Sequence, residues 1–254
     1  MLGLIFCLSL LVACEPDADN ISSSDVQGTE TSAVVTISST STSTSTPTRS
    51  AVSSPTEPAT SLDIKELRGF LLPIAGVCLP SNSQVMPNAP RAYRRGVHEG
   101  VDFYDGDVCT KIEAGTPVRA AYAGVIIRAD IEYESPTRED FARVAAVISS
   151  QGEGDAEILD FYRGRQVWIS HGAGIVTRYA HLGGIAEGLS VGISVKGGQV
   201  IGHVGESGTP ESVVNPGTQN HLHFELRIED NFLGQDLEVD GVRAAYELLF
   251  SSAR

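Results

Sequence analysis

The sequence predicts a mainly β fold: a β-rich α+β domain with an antiparallel sheet of hairpins, one inserted helix and a C-terminal helix. Three observations predict it. Short apolar runs of strand length recur between glycine-containing turns, as in residues 115–127, 165–181 and 195–202. Residues 220–226 alternate polar and apolar side chains with a period of two, which is typical of a strand with one buried face. Stretches with helical spacing of apolar residues are scarce.

The first 14 residues have the pattern of an export signal. Residues 2–13 form an apolar run that is too short for a comfortable membrane span and fits the core of a signal peptide, although no Lys or Arg precedes it. The run ends Leu-Val-Ala-Cys at 11–14, which resembles the lipobox of bacterial lipoproteins. That resemblance implies cleavage before Cys14, a lipid on this cysteine and an anchor on the bacterial cell membrane. The alternative is an ordinary cleaved signal with a chance cysteine; both hypotheses place the mature protein outside the cytoplasm.

Residues 15–61 are rich in Ser, Thr and Pro, and such a composition cannot bury enough apolar surface to offset the entropy of ordering. We predict a disordered tether, which as a flexible coil of about 40 residues would span roughly 35 Å. A tether between a lipid anchor and a domain suits work on a polymer at some distance from the membrane. Residues 62–254 then form one domain of a size that supports a core.

The net charge of −14 argues against two classes of partner. Binding to nucleic acid depends on basic groups that neutralise phosphates. Electrostatic docking on anionic lipid requires the same kind of surface. We therefore expect no nucleic acid, and membrane contact only through the lipid anchor at Cys14.

Four cysteines are present, and two of them fall in the first 14 residues. Cys78 and Cys109 remain in a chain that is predicted to be exported, and two such thiols in an oxidising compartment usually form a disulfide. The alternative is a thiolate metal ligand at Cys109, seven residues past Asp102. No Cys-x-x-Cys spacing accompanies Cys109, so we favour the disulfide.

The remaining elements follow from spacing. Residues 115–127 are expected to form a turn, a strand, a glycine kink and a second strand. Residues 130–160 are acidic and are expected to be an insertion with a helix over 137–149, where apolar side chains recur at helical spacing. Strands are predicted at 165–171 and 175–181, around a glycine-rich turn, and a terminal helix at 241–250.

His98 and Asp102 form the first chemical motif. Their spacing of four places both side chains on one face of either a strand or a helical turn, and Gly100 between them favours the extended form. The pattern is not His-Glu-x-x-His, because the fifth residue is Asp, so Glu99 is not assigned the role of general base.

His221 and His223 form the second motif, on the predicted strand 220–226. Strand alternation places both imidazoles on one face, while the apolar residues between and after them enter the core. A hydrolytic zinc site takes three protein ligands and leaves one position for water. His98, Asp102 and one of the two strand histidines would supply the ligands. The other strand histidine and His181 would handle the proton and stabilise the oxyanion; because zinc lowers the pKa of bound water to about 7, imidazole suits this work.

In their order and spacing these motifs resemble the signature of the lysostaphin-type (LytM-like) zinc endopeptidases, which cut peptidoglycan cross-bridges. The matching pieces are His-x-x-x-Asp at 98–102, Tyr-Ala-His-Leu at 179–182 and His-Leu-His at 221–223. Spacer motifs agree as well: Gly-Thr-Pro-Val at 115–118, His-Gly-x-Gly at 171–174, Gly-Gly-Gln-x-Ile-Gly at 197–202 and Gly-x-Ser-Gly at 205–208. The resemblance runs from about residue 91 to 227, and the insertion at 130–160 departs from the compact family pattern.

The resemblance assigns roles to five residues. It implies that His98, Asp102 and His223 bind one Zn²⁺ ion, and that His181 and His221 are the catalytic pair. A tyrosine shortly before the first motif helps to bind the oxyanion in some members, and Tyr93 is the counterpart that this chain offers. The insertion is expected to reshape one wall of the groove. The histidines at 171 and 203 are expected to be structural or exposed.

The function implied is a zinc endopeptidase that acts on the peptide stems and cross-links of bacterial peptidoglycan. One alternative is a non-hydrolytic regulator of cell-wall amidases on the same scaffold, although silent relatives of that kind lack members of the His/Asp set that this chain retains. Another is a carboxypeptidase of a related zinc fold, or a metal-carrying surface protein.

Overall fold

The computed structural model describes residues 67–151 and 156–251. The predicted signal peptide, the lipid site at Cys14 and the tether over residues 15–61 lie outside the described residues and stay predictions. Within the described part of the chain, no helix combines the length and the apolar character needed to cross a membrane.

Strands dominate the fold, so the mainly β class is confirmed. In chain order they are β1 (Pro90–Arg91), β2 (Gly96–Val97), β3 (Val101–Tyr104), β4 (Pro117–Arg119), β5 (Gly124–Ala129), β6 (Val167–Gly172), β7 (Ile175–Ala180), β8 (Leu182–Ile185), β9 (Ser194–Val195), β10 (Val200–Val204), β11 (His221–Ile228) and β12 (Asn231–Phe232). The helices are α1 (Arg138–Gln151), α2 (Ala156–Arg163), α3 (Glu211–Val214) and α4 (Val239–Leu249). Short 3-10 turns lie at Ser83–Val85 and Ala92–Arg94.

Among the described residues, all strand pairs are antiparallel and they form three sheets. The largest has the order β12-β11-β7-β6-β5-β9, with β3 paired to the start of β11. A three-stranded sheet, β4-β10-β8, and the short pair β1-β2 complete the architecture. The predicted hairpin of residues 165–181 is β6-β7, although its second strand ends at Ala180, one residue before His181.

Strand β11 organises the large sheet, because it lies between β3 and β7. Its apolar residues Leu222, Phe224 and Leu226 are fully buried in the core. His221 and His223 alternate with them and are also buried. Strand alternation therefore holds as predicted, with the apolar face on the core and the two imidazoles on the opposite face.

The insertion connects the neighbouring strands β5 and β6, as predicted, but it contains two helices where the sequence predicted one. Helix α1 matches the predicted helix 137–149 closely. Helix α2 extends past the expected boundary at residue 160. It is short, and its stability depends on contacts with α1: the Phe161 ring lies 5.0 Å from the Phe141 ring, and the Tyr162 ring lies 6.2 Å from it. Tertiary packing of this kind supplies most of the stability of a short helix, and local propensity does not reveal it.

The disulfide Cys78–Cys109 is confirmed, with the two Cα atoms 5.5 Å apart. It closes a loop with a sequence separation of 31, which in the chain-entropy description stabilises the fold by roughly 3–4 kcal/mol. The bond ties the segment before the first motif to the segment after β3. The thiolate-ligand alternative for Cys109 is thereby excluded.

Candidate metal centre

Two elements bring the candidate ligands together. In the register of β3 against β11, Asp102 lies opposite His223. His98 precedes β3, and its backbone N–H donates to the Ala89 carbonyl (2.8 Å). The antiparallel pair β3–β11 thus brings together two residues, Asp102 and His223, that are more than a hundred positions apart in sequence.

Gly100 permits this close approach. A Cβ atom added there would lie 2.9 Å from Cε1 of His223, and nearer still to the carbonyl oxygen of Phe224. Real side chains do not sit so close to a neighbouring backbone. The glycine in the first motif is therefore a requirement of the β3–β11 contact, in agreement with the extended form expected from the sequence.

We expect Gly100→Ala to separate this loop from β11, which would destabilise the protein by about 1–3 kcal/mol and weaken metal binding. Gly184→Ala is the matched control, because a Cβ atom at Gly184 in β8 meets nothing within 4 Å. Urea unfolding and zinc titration of both variants would test this. Equal behaviour of the two variants would show that the close contact at Gly100 has no such role.

Three potential metal-ligand atoms lie close together in the buried interior. Nε2 of His98 lies 3.0 Å from Oδ1 of Asp102 and 3.0 Å from Nδ1 of His223. Nδ1 of His223 lies 2.7 Å from the same Oδ1. Among the described residues, this is the one group of His, Cys, Asp or Glu side chains with the geometry to hold a metal ion.

The outer hydrogen bonds of the two rings decide which way their lone pairs point. Nδ1 of His98 donates to the carbonyl oxygen of Met86 (3.1 Å), and Nε2 of His223 donates to Oε1 of Glu225 (3.0 Å). Since each neutral ring carries one proton, Nε2 of His98 and Nδ1 of His223 present lone pairs to Asp102. Three lone-pair donors then face one point with no proton between them. This donor set fits a divalent cation such as zinc.

The electrostatics favour the ligating forms of two of these groups. Burial, only partly offset by Asp102, lowers the pKa of His98 to about 4, so its ring is neutral at pH 7. Burial alone would raise the pKa of Asp102, but the neighbouring His98 and His223 outweigh it and hold that pKa well below its usual range. For His223, burial is outweighed by the adjacent carboxylates of Asp102 and Glu225, which raise its pKa, so a bound cation would compete with a proton for Nδ1 of this ring.

His221 and His181 stand beside the three donors. Nδ1 of His221 donates to the carbonyl of Gln219 (2.6 Å), and Nε2 lies 3.8 Å from Oδ1 of Asp102. Nδ1 of His181 donates to the carbonyl of Ser207 (2.8 Å), and the two rings are 4.4 Å apart. Burial lowers the pKa of both imidazoles. Both rings are therefore neutral, with Nε2 available as a base.

Tyr104 and Arg91 are among the site residues that were not identified from the sequence. The ring of Tyr104 stacks on that of His221 (4.1 Å between centroids, 14° between planes), and its hydroxyl donates to Oε1 of Gln219 (3.2 Å). Nη2 of Arg91 donates to Oδ2 of Asp102 (3.2 Å), which leaves Oδ1 to face the histidines. Strand alternation offered a signal for Tyr104, two residues past Asp102; nothing local indicated Arg91.

A cavity of about 430 Å³ opens over these groups. One wall contains Tyr93 and, from α2 of the insertion, Leu159 and Tyr162. The rings of Tyr93 and Tyr162 meet edge to face at 5.2 Å. The insertion therefore does shape one wall of the groove, and Tyr93 lines the same cavity, half exposed.

The other two histidines lie outside this cavity. Nδ1 of His171 donates to the Ala123 carbonyl (2.9 Å), and Nε2 lies 2.9 Å from the Thr177 hydroxyl. These bonds tie the β6–β7 hairpin to the start of β5, so the role of His171 is structural, as expected. His203 lies partly exposed in β10.

Comparison with known proteins places these motifs in one family. The model described as "Peptidase family M23" matches residues 96–235, more than half of the chain and a range that contains all five candidate residues. No curated protein matches.

Three solved structures illustrate the likeness. A zinc-containing peptidase from Vibrio cholerae is 23% identical over 67% of this chain and 41% of that one, with a TM-score of 0.42. The catalytic domain of lysostaphin from Staphylococcus simulans is 25% identical over 56% of this chain and 74% of that one (TM-score 0.34). The catalytic domain of a prophage-encoded M23 protein from Enterococcus faecalis is 22% identical over 64% and 95% (TM-score 0.35). The chain thus spans about two fifths of the length of the Vibrio cholerae peptidase.

Proposed function

Since this chain belongs to peptidase family M23, we propose that it is a zinc-dependent endopeptidase that hydrolyses the peptide cross-links of bacterial peptidoglycan. One observation carries the proposal: three buried lone-pair donors converge on a point that two further neutral imidazoles flank, inside an open cavity. A purely structural histidine cluster has no need of two free Nε2 atoms beside a carboxylate.

His98, Asp102 and His223 would hold the ion through Nε2, Oδ1 and Nδ1. Zinc, when bound, supplies a Lewis acid that activates water for attack on a peptide carbonyl. Arg91 keeps the second oxygen of Asp102 engaged, so that the carboxylate offers one oxygen to the site. The cavity above the three donors leaves room for solvent and for an extended peptide.

Proton transfer falls to His221 and His181. Each ring is fixed by a donated Nδ1–H, which leaves its Nε2 as the basic atom. One of the two Nε2 atoms would accept the proton that water releases on attack, and the same proton would then pass to the leaving amine. Tyr104 holds the His221 ring flat against its own and thereby limits rotation of the base.

The two nearby glutamates are unsuited to the role of general base. Both Glu99 and Glu225 form ion pairs with the buried Arg163: its Nη2 lies 2.6 Å from Glu99, and its Nε lies 2.6 Å from Glu225. Arg227 contacts both carboxylates as well. This distribution of charge supports an imidazole base, as inferred from the sequence.

We propose that the enzyme works outside the cytoplasm, anchored through a lipid at Cys14 and extended on the tether of residues 15–61. The disulfide Cys78–Cys109 supports an oxidising compartment, because such bonds persist in exported proteins. Peptide stems of peptidoglycan are the polymer that such an anchored peptidase would reach.

The test is digestion of peptidoglycans that differ in cross-link type by the zinc-loaded full chain, with mass spectrometry of the released fragments. New amino termini at cross-links are the expected result. His203→Ala, a change outside the cavity, is the control that should retain activity. Zinc binding without new amino termini on any substrate would contradict the proposal and favour the regulator of amidases.

A further inference from the structure

The inserted helices reach the metal centre through a buried arginine. Arg163 is the last residue of α2, yet only 9% of it is exposed. Its Nε donates to Oε1 of Glu225 and its Nη2 donates to Oε2 of Glu99, both at 2.6 Å. A guanidinium group suits this position because its planar fork can bind two carboxylates at once.

Glu225 contacts both Arg163 and the candidate ligand His223. Its side chain is fully buried, and its Oε1 accepts both Nε–H of Arg163 and Nε2–H of His223. The bond to Nε2 fixes the orientation and the tautomer of the His223 ring, which turns Nδ1 towards Asp102 and His98. Any change that moves this carboxylate oxygen therefore moves the ring.

The carboxylate depends on arginines for its place in the interior, because a buried ion is costly unless it is paired. Arg178 and Arg227 approach its other oxygen, Oε2, at 3.4 and 3.3 Å. Both distances are longer than that to Arg163, and neither residue contacts Oε1, which holds His223. Arg163 is therefore the partner that fixes the oxygen in question.

The backbone of the same residue supports a second histidine of the site. The carbonyl oxygen of Arg163 accepts the N–H of His181 (2.9 Å), a residue held at a φ of 57°, which is uncommon for a side chain other than glycine. A substitution at Arg163 changes the side-chain contact and leaves this backbone contact in place. Mutation of Arg163 can therefore test the side-chain contact with Glu225 separately from the backbone contact with His181.

We infer that Arg163 is a positioning residue of the metal centre, which fixes the His223 ring through Glu225 and makes the insertion part of the support of the site. The inference rests on the proposed function, because it takes His223 as a metal ligand. The insertion then has two roles: it forms one wall of the groove, and it supports the His223 ring.

Zinc affinity of the full-length protein, measured against a chromogenic chelator, tests the inference without substrate. Arg163→Met is expected to weaken zinc binding roughly 10- to 100-fold, the usual effect of losing support behind a ligand. Arg178→Met is the matched control: it removes an arginine from the same carboxylate but from Oε2, and should bind zinc nearly as the wild type does. The visible spectrum of the cobalt-substituted protein should change in Arg163→Met alone, since it reports ligand geometry.

If Arg163→Met does not fold, the two lysine variants Arg163→Lys and Arg178→Lys provide the same comparison. Arg163→Lys keeps a cation but cannot hold both carboxylates at once, so it should bind zinc less tightly than Arg178→Lys and more tightly than a folded Arg163→Met. Equal zinc affinities in the two lysine variants, or in the two methionine variants, would overturn the inference and leave the proposed function standing. A wild-type protein that binds no zinc would instead contradict the proposed function.

Discussion

His223→Ala is expected to lose both zinc binding and hydrolysis, whereas His221→Ala keeps the zinc and loses hydrolysis. The two imidazoles share one face of β11, but they differ in contacts. Nδ1 of His223 lies 2.7 Å from Oδ1 of Asp102 and 3.0 Å from Nε2 of His98, inside the triangle of donors. Nε2 of His221 stands 3.8 Å from the same Oδ1 and faces the ring of His181.

The expected magnitudes separate the two roles. Loss of a ligand from a three-residue site should remove measurable activity, while loss of a proton-transfer group costs about 10²- to 10⁴-fold in rate. Zinc content by atomic absorption and cross-link hydrolysis should be measured on both variants, with His203→Ala as the control. Equal zinc loss in His221→Ala and His223→Ala would contradict this division of roles.

Removal of zinc is expected to lower the thermal stability of the whole protein. A bound cation stabilises the folded state because Nε2 of His98, Oδ1 of Asp102 and Nδ1 of His223 lie within 2.7–3.0 Å of one another in the folded protein only. At a zinc concentration of 1,000 times Kd, binding stabilises the folded state by about 4 kcal/mol, which for a domain of this size raises Tm by roughly 10 °C.

Asp102→Asn should abolish most of this shift, because the variant loses the charged ligand while its shape is kept. Asp107→Asn is the matched control: Asp107 has a partly exposed carboxylate that accepts the N–H groups of Ser81 and Asn82, outside the cavity. Calorimetry with zinc and with chelator measures both shifts. A full zinc-dependent shift in Asp102→Asn would show that the ion is held elsewhere.

The insertion contacts both the groove and the support of the candidate metal centre. Its helix α2 lines the groove with Leu159 and Tyr162 and supports Glu225 with Arg163. If the proposed function holds, this single helix would shape the surface that meets the substrate and would also fix the His223 ring from its other side. Variation in such an element would change substrate preference and metal affinity together.

Local pattern in the sequence was sufficient to predict where much of the candidate site lies, whereas the roles of its five residues came from the resemblance to the lysostaphin-type endopeptidases. The alternation of 220–226 identified the strand and the shared face of His221 and His223, because side chains on a strand alternate with a fixed period. The spacing of His98 and Asp102 placed them on one face. The disulfide followed from counting, since two cysteines remained outside the first 14 residues.

Local sequence patterns did not predict the contacts between distant segments. Spacing alone left open which strand histidine is a ligand; the register that sets His223 opposite Asp102 and His221 opposite Tyr104 favours His223. The second inserted helix was missed because its apolar residues find their partners on α1 rather than within the helix. Arg91 and Arg163 gave no local signal, since an arginine in sequence does not reveal which buried carboxylate it meets.

By itself the sequence determined the fold class and the faces shared by His98 with Asp102 and by His221 with His223, because these depend on periodicity and composition over a few neighbouring positions. Only the tertiary structure decided how the donors converge, which ring nitrogens face one another and which arginines hold the carboxylates behind them. Those features depend on strand register and on side chains that meet across more than 60 residues, as Arg163 and Glu225 do, and no local pattern specifies such pairs.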